Sequence, residues 1–251
     1  MQVVILCGGT GTRLKEQTEF VPKPLVPIGG KPMIWHIMNQ YSRYGHNDFI
    51  LALGYKQEAF KDYFANFDRA HRDVVYDMRD GRIWYEDSRP PWRETLSDTG
   101  ENTLKGGRIK RIESYIDDDN FLLTYGDAVS NIHIADLIDF HYSHGKIVTI
   151  TGVHPPPRFG ELFHNGGVVT KYKEKPDSEQ LINGGFMVLR KNIFKYLDAS
   201  CDFEHGPLEE MAKMGQLMVY PHKGFWKCMD TLNDMVELQR LWDSGKAEWV
   251  G

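Results

Sequence analysis

Residues Val3-Val4-Ile5-Leu6 form a short apolar run that passes without a break into Cys7-Gly8-Gly9-Thr10-Gly11-Thr12-Arg13. An apolar run of that length, closed by glycines, reads as a strand buried on both faces. Strands of that kind belong to parallel sheets covered by helices. The glycine loop narrows the choice further. Without a Cβ the backbone turns tightly and approaches a ligand closely, so main-chain N–H groups can face phosphate oxygens. Arg13 supplies the charge that a peptide loop lacks. A loop placed at the carboxyl end of a first parallel strand is where open α/β sheets bind ligands.

Two familiar phosphate loops do not fit. Gly9 and Gly11 match the start of G-x-G-x-x-G, but the third glycine position falls on Leu14. The Walker pattern fails as well, since no G-K-[ST] follows a glycine at the required gap. Downstream lies Val21-Pro22-Lys23-Pro24-Leu25, where two prolines stiffen the backbone around one lysine and limit where its ammonium can go.

The rest of the chain repeats strand and helix. A helix is expected from Pro32 through Tyr41 to a stop at Gly45, a strand over Phe49–Leu53, and a helix over Gln57–Phe64. That alternation predicts a doubly wound, mixed but mostly parallel sheet of the Rossmann-like α/β class with small β additions. A hairpin is expected around Asp80-Gly81, and Arg89 to Gly107 reads as one long loop. A helix is expected to resume over Ile109, Ile112, Tyr115 and Ile116, followed by a buried strand over Phe121–Tyr125. Beyond it come a helix from Ile134 to Gly145, a strand over Ile147–Val153 and a second hairpin at Asn165-Gly166. The remaining elements are a strand over Phe186–Leu189, helical stretches near Ile193 and Leu208, a strand at Leu217–Tyr220 and a helix over Leu232–Trp242. We expect one domain over 1–251, with a soft internal boundary that leaves halves of about 1–130 and about 131–251.

Composition excludes some partners. A net charge of −5 argues against non-specific nucleic-acid binding, which needs basic surface. A few placed cations still suffice for an anionic substrate. Three cysteines, odd in number and without metal spacing, suggest reduced thiols and a cytoplasmic protein. The first apolar run stops at Gly8, short of a signal peptide or membrane span. His141 and His144, with His133 upstream, lack a third ligand at zinc spacing and read as hydrogen-bonded or solvent-facing histidines.

Asp127 follows Thr124-Tyr125-Gly126 at the end of an apolar strand, which puts a carboxylate at the ligand edge of the sheet. A helix cap is an equal reading. Asp230 in Met229-Asp230-Thr231 has the same two readings, because a helix follows it. Asn183, before two glycines, could mark a bulge.

Taken with Gly29-Gly30-Lys31-Pro32, Asp98-Thr99-Gly100, Gly106-Gly107-Arg108, Glu174-Lys175-Pro176 and Ile182-Asn183-Gly184-Gly185-Phe186, these motifs resemble those of the sugar-1-phosphate nucleotidylyltransferases. The resemblance runs in the same order over nearly the whole chain. It implies transfer of a cytidylyl group from CTP to a sugar 1-phosphate, glucose 1-phosphate foremost, by a nucleotide-binding half over about 1–130 and a sugar-binding half over about 131–251. It also implies a Mg²⁺-dependent homo-oligomeric enzyme, for which the aromatics near the C-terminus, read as exposed, would suit an interface. By resemblance, the nucleotide would meet Leu6, Gly8, Gly9, Thr10, Gly11, Thr12, Arg13, Lys23, Thr103, Arg108 and Gly126. Arg13 would hold the β- and γ-phosphates, and Lys23 would neutralise charge on the α-phosphate. Asp127 and Asp230 would hold the metal. Lys175 would grip the sugar phosphate, while Glu174, Asn183 and Gly184 would meet the hydroxyls. Ala128 and Pro157 stand where glycine is expected of relatives, which bears on substrate preference rather than on the charged groups. The rival readings are another base (dTTP or UTP) or another sugar, a metal-dependent glycosyltransferase, and a sugar-nucleotide sensor. The sensor does not need Arg13, Lys23, Asp127 and Asp230 together.

Overall fold

The computed structural model describes residues 1–11, 21–86, 89–155, 160–174 and 180–250. Seven strands form the main sheet: β1 (Val3–Cys7), β2 (Asp48–Leu53), β3 (Arg93–Asp98), β4 (Asn120–Tyr125), β5 (Val148–Val153), β6 (Ile182–Arg190) and β7 (Leu217–His222). Their order across the sheet is β7-β5-β6-β4-β1-β2-β3. Every neighbouring pair is parallel except those of β6, which runs antiparallel to both β4 and β5. The chain builds outward from β1 to β3 and then returns to the other side of β1 as β4. The order therefore reverses at the carboxyl ends of β1 and β4, which is where such sheets bind ligands.

The period-2 geometry of β1 splits its buried residues between two cores. Val3, Ile5 and Cys7 face one cluster and Val4 and Leu6 face the other. The first core is covered by α1 (Met33–Ser42), whose Met33, Ile34, Ile37, Met38 and Tyr41 are buried at helical spacing. Also labelled here are α2 (Gln57–Ala65), α3 (Lys105–Arg111), α4 (Ile134–His144) and α5 (Leu232–Asp243). The second core takes Ile109 from α3, with Ile112, Ile116 and Phe194. The expected mixed α/β sheet is present, with both expected hairpins, Val74–Asp77 with Arg82–Tyr85 and Glu161–Asn165 with Val168–Lys173.

Three expectations need correction. The stretch read as one long loop over 89–107 contains β3, paired in parallel with β2 from Asp48↔Arg93 to Leu53↔Asp98. As an edge strand with only Ser97 buried, it carries none of the apolar density that marks β1. The helix expected over 109–116 starts at Lys105 and ends at Arg111, followed by a 3₁₀ turn over Glu113–Tyr115. Gly106 and Gly107 lie inside it because the helix presses on the 199–201 segment. A Cβ on Gly106 would stand 2.4 Å from Cys201 Sγ, and one on Gly107 2.4 Å from the Ala199 carbonyl. The C-terminal aromatics, expected on the surface as an interface, pack inward instead. Trp249 is 2% exposed, stacks on Phe225 and donates to His36 Nδ1 at 3.3 Å.

His141 is fully buried, with Nδ1 2.7 Å from Thr149 Oγ1 and Nε2 3.2 Å from Asn120 Oδ1. Burial, then the neighbouring His144 and Arg190, pushes its pKa down to about 4. An imidazole that stays neutral when folded but protonates freely when unfolded costs stability as pH falls through the ordinary histidine range. Between pH 7 and 5 the loss should be on the order of 2 kcal/mol. Urea unfolding at the two pH values checks this, since His141→Gln should show a clearly smaller drop.

Candidate active site

The Pro22-Lys23-Pro24 segment forms a 3₁₀ turn over Lys23–Leu25, with Leu25 N–H bonded to the Pro22 carbonyl at 2.8 Å. The turn seats Pro24 against the loop that follows β4. A Cβ on Gly126 would lie 2.8 Å from Pro24 Cγ and 3.1 Å from the Leu6 carbonyl, so only glycine fits there. Lys23, 9% exposed, then reaches two carboxylates: its Nζ is 2.8 Å from Asp127 Oδ2 and 2.6 Å from Asp230 Oδ1. Burial alone would lower the lysine pKa, but the attraction of Asp127 and Asp230 outweighs it and raises the pKa. The ammonium is charged throughout the physiological range.

Two small pairings bring the aspartates together. Ala128–Ser130 pairs antiparallel with Trp226–Cys228, and Met229 N–H donates to the Asp127 carbonyl at 2.8 Å. Neither aspartate caps a helix. Asp127 is followed by the strand Ala128–Ser130, and α4 is capped by His133. The cap of α5 is Thr231, in a reciprocal box with Asp234. Both carboxylates are thus left to hold a cation. Cys228 adds a protonated thiol whose Sγ lies 3.6 Å from Asp230 Oδ2. Burial, then Asp230 and Asp127, pushes that thiol up to about 11.

These groups line a cavity of about 760 Å³ at the ends of β1 and β4. From the sites expected by sequence, the glycine loop contributes Leu6, Gly8, Gly9 and Gly11, and the start of α3 contributes Thr103 and Arg108. Gly126, Asp127, Asp230, Asn183 and Gly184 complete the set around Lys23. Thr10 is exposed and lies off the cavity wall. Glu174 is also exposed and off the wall, where it accepts a hydrogen bond from Tyr172. Thr12, Arg13 and Lys175 lie outside the described residues, as does Pro157.

Arg108 is 4% exposed, and its guanidinium is occupied by the protein itself. One terminal nitrogen donates to the Leu53 and Gly100 carbonyls at 3.0 and 2.7 Å and to Thr99 Oγ1 at 2.8 Å. The other donates to the Gly8 and Glu101 carbonyls, both at 2.9 Å. One side chain therefore ties together the ends of β1, β2 and β3. A Cβ at Gly8 would stand 2.1 Å from the guanidinium carbon, so glycine is required where the loop crosses it. Asn183 lies at a bulge, as the two following glycines suggested. The β5–β6 register breaks between Ile150↔Met187 and Gly152↔Asn183, a bulge, and the Asn183 side chain still lines the cavity. Sequence reasoning missed Tyr125, Lys105, Glu204 and Trp226. Trp226 Nε1 donates to the Gly184 carbonyl at 2.7 Å, fixing the backbone beside Asn183. No short motif marks these positions; their signal is spatial.

Among the described residues, no cluster of three or more His, Cys, Asp or Glu could hold a metal alone. Two carboxylates converging on one cationic position do fit a hard divalent cation that takes its other ligands from phosphate and water.

The sequence profile of the nucleotidyl transferase family matches residues 2–243. Glucose-1-phosphate cytidylyltransferase of Salmonella typhimurium is 47% identical over 99% of this chain and 98% of its own length. Probable glucose-1-phosphate cytidylyltransferase of Bacillus subtilis is 43% identical over 99% of both chains. Among solved structures, HddC from Yersinia pseudotuberculosis superposes with a TM-score of 0.69 at 25% identity, covering 96% of this chain and 99% of that one. UDP-glucose pyrophosphorylase complexed with UDP-glucose reaches a TM-score of 0.68 at 17% identity over 97% and 98%, and so shows the fold alone. A cation-lined cavity at the switch point of this sheet and a profile match over almost the whole chain agree: the chain belongs to the nucleotidyl transferase family.

Proposed function

We propose that the protein transfers a cytidylyl group from CTP to α-D-glucose 1-phosphate, giving CDP-glucose and pyrophosphate. The observation that carries this reading is the convergence of Lys23, Asp127 and Asp230 at the β1/β4 switch point. The choice of CTP and glucose 1-phosphate rests on the names of the relatives at 47% and 43% identity. A phosphate oxygen of the sugar phosphate attacks the α-phosphorus in line with the bond to pyrophosphate. One O–P bond forms as the other breaks, with no covalent intermediate on the protein. Such chemistry depends on positioning and on neutralising charge rather than on a protein nucleophile.

Asp127 and Asp230 would hold Mg²⁺, which would supply charge neutralisation for the substrate phosphates. Lys23, held between those carboxylates, would neutralise the charge that builds on the α-phosphate. The glycine loop presents main-chain groups to the nucleotide, and Arg108 holds Gly8 in position for it. Arg13 would bind the β- and γ-phosphates and Lys175 the sugar phosphate, with Glu174, Asn183 and Gly184 toward the hydroxyls. We read 1–251 as one catalytic unit, cytoplasmic and homo-oligomeric. Among the described residues no helix is long and apolar enough to cross a membrane. Leu162, Val168 and Tyr172, each more than half exposed on one hairpin, suit a subunit contact.

Cytosine offers an N4 amino donor where uracil offers an O4 acceptor. A pocket of fixed backbone groups reads that difference, because the wrong base leaves a buried polar group unpaired at about 1–3 kcal/mol. With CTP and UTP at equal concentration and glucose 1-phosphate as acceptor, CDP-glucose should exceed UDP-glucose by roughly tenfold or more. Chromatography of the products decides it. Comparable yields would remove the cytosine preference and leave nucleotidyl transfer standing, whereas no pyrophosphate release with any triphosphate and sugar 1-phosphate would remove both.

A further inference from the structure

A second polar cluster, centred on Glu204, lines the same cavity, and of its members only Asn183 enters the reading above. Tyr125, at the end of β4, donates its hydroxyl to Glu204 Oε1 at 2.7 Å, and Lys105 Nζ donates to the same oxygen at 2.5 Å. Asn183 Nδ2 donates to the Tyr125 hydroxyl at 3.1 Å, and the Lys105 ammonium lies 5.6 Å over the Tyr125 ring. Burial, then the negative charge of Glu204, raises the Tyr125 pKa, so the phenol remains a donor. The other carboxylate oxygen, Glu204 Oε2, is buried and accepts no hydrogen bond from the described residues. A carboxylate has room for about four donors, and here one oxygen takes two while the other takes none.

The backbone beneath Glu204 is irregular. The chain kinks just after it, where His205 (φ −91°, ψ 96°) and Gly206 (φ 123°, ψ −89°) leave the helical region before Pro207 and the short helix Glu209–Lys213. Glycine adopts that positive φ without a Cβ clash, so the kink beside Glu204 is built into the sequence at Gly206. Glu204 is aimed between Lys105, at the start of α3 on the nucleotide side, and Asn183 on the sugar side. The terminal torsion of glutamate is broad, so Oε2 can turn into the cavity without backbone movement.

We propose that Glu204 is a specificity residue for the transfer reaction: its carboxylate accepts a hydrogen bond from a sugar-ring hydroxyl of the substrate, and Lys105 with Tyr125 positions it. This rests on the nucleotidyl-transfer reading of the cavity. A hydroxyl is the neutral donor that both substrates offer, and an ionised acceptor binds it more strongly than a neutral one. The donor is a ribose hydroxyl of the triphosphate or a hydroxyl of the hexose phosphate.

The test compares kcat/KM of wild type, Glu204→Gln and Glu204→Ala across substrates lacking one hydroxyl each. CTP, 2′-deoxy-CTP and 3′-deoxy-CTP form the ribose arm, and glucose 1-phosphate with its 2-, 3-, 4- and 6-deoxy analogues forms the hexose arm. Wild type should lose about 10–100-fold when the recognised hydroxyl is removed, as expected for a buried acceptor left unpaired. Glu204→Ala should lose a similar factor on the intact substrates and then be nearly indifferent to that one hydroxyl, with Glu204→Gln in between. The arm in which discrimination collapses names the source. A variant that is uniformly slower but discriminates as wild type does would show a merely structural role and overturn the proposal. Should Glu204→Ala fail to fold, unchanged discrimination in a folded Glu204→Gln would overturn it equally. A wild type that makes no nucleotide sugar from any pair refutes the reading of the cavity itself, a result distinct from an active enzyme indifferent to residue 204.

Discussion

Asp127→Asn is expected to lower kcat by about 10²–10³, the usual cost of removing a preorganised charge at the reacting centre. Asparagine keeps the shape of the side chain, so the pairing of Ala128–Ser130 with Trp226–Cys228 should persist and the melting temperature should change little. Lys23 would retain Asp230 at 2.6 Å and stay charged and in place. The loss should therefore appear in turnover rather than in stability. Because Asp127 caps no helix, early melting is not expected. Steady-state kinetics over a Mg²⁺ titration, with circular dichroism melts alongside, would measure both. A variant with wild-type turnover and unchanged metal dependence would refute the assignment of Asp127. If the two carboxylates share the metal, Asp230→Asn should give a loss of the same order, and the double variant should be far from additive.

Arg108→Ala should have the largest effect on stability. The substitution leaves the carbonyls of Gly8, Leu53, Gly100 and Glu101, and the hydroxyl of Thr99, without their present donor. Each acceptor that water cannot reach costs about 1–3 kcal/mol, but the vacated space opens on the cavity and water will satisfy some of them. A net loss of about 2–4 kcal/mol is expected, together with weaker binding of the triphosphate because Gly8 is no longer held. Arg108→Lys should recover only part of it, since one ammonium cannot span the acceptors that a planar guanidinium reaches from both sides. Denaturant unfolding and the KM for CTP would be read together. A folded, equally stable Arg108→Lys variant with a raised KM would mean that the guanidinium serves mainly as a nucleotide contact.

Local patterns sufficed for much of the fold. The apolar run of β1, the helical spacing in α1 and the Asp80-Gly81 turn each carry their own signal within a few residues. β3 does not. It lies at the sheet edge with polar residues on its open side, so nothing in Arg93–Asp98 distinguishes it from a loop until β2 is beside it. The start of α3 was hidden for a related reason. Gly106 and Gly107 look like loop residues, and only the close approach of the 199–201 segment explains their presence in a helix.

The site divides in the same way. Gly8, Gly9, Lys23 and Asp127 are legible because a glycine loop, a lysine between prolines and a strand-end carboxylate are contiguous features. From sequence Asp230 and Asp127 could each have capped a helix. That choice was made by the pairing of Ala128–Ser130 with Trp226–Cys228 and by Thr231 taking the cap of α5. Arg108 shows the difference most plainly. Its charge and its place after two glycines are written in the chain, but its partners come from three strand ends, two of them 55 and 100 residues away. Glu204 has no motif at all; it becomes visible only where the fold sets it against Lys105, Tyr125 and Asn183. Short-range periodicity and turn chemistry determined most of the strands and the place of the glycine loop. Which charges meet, and which stay unpaired, depended on contacts between segments that no local pattern encodes.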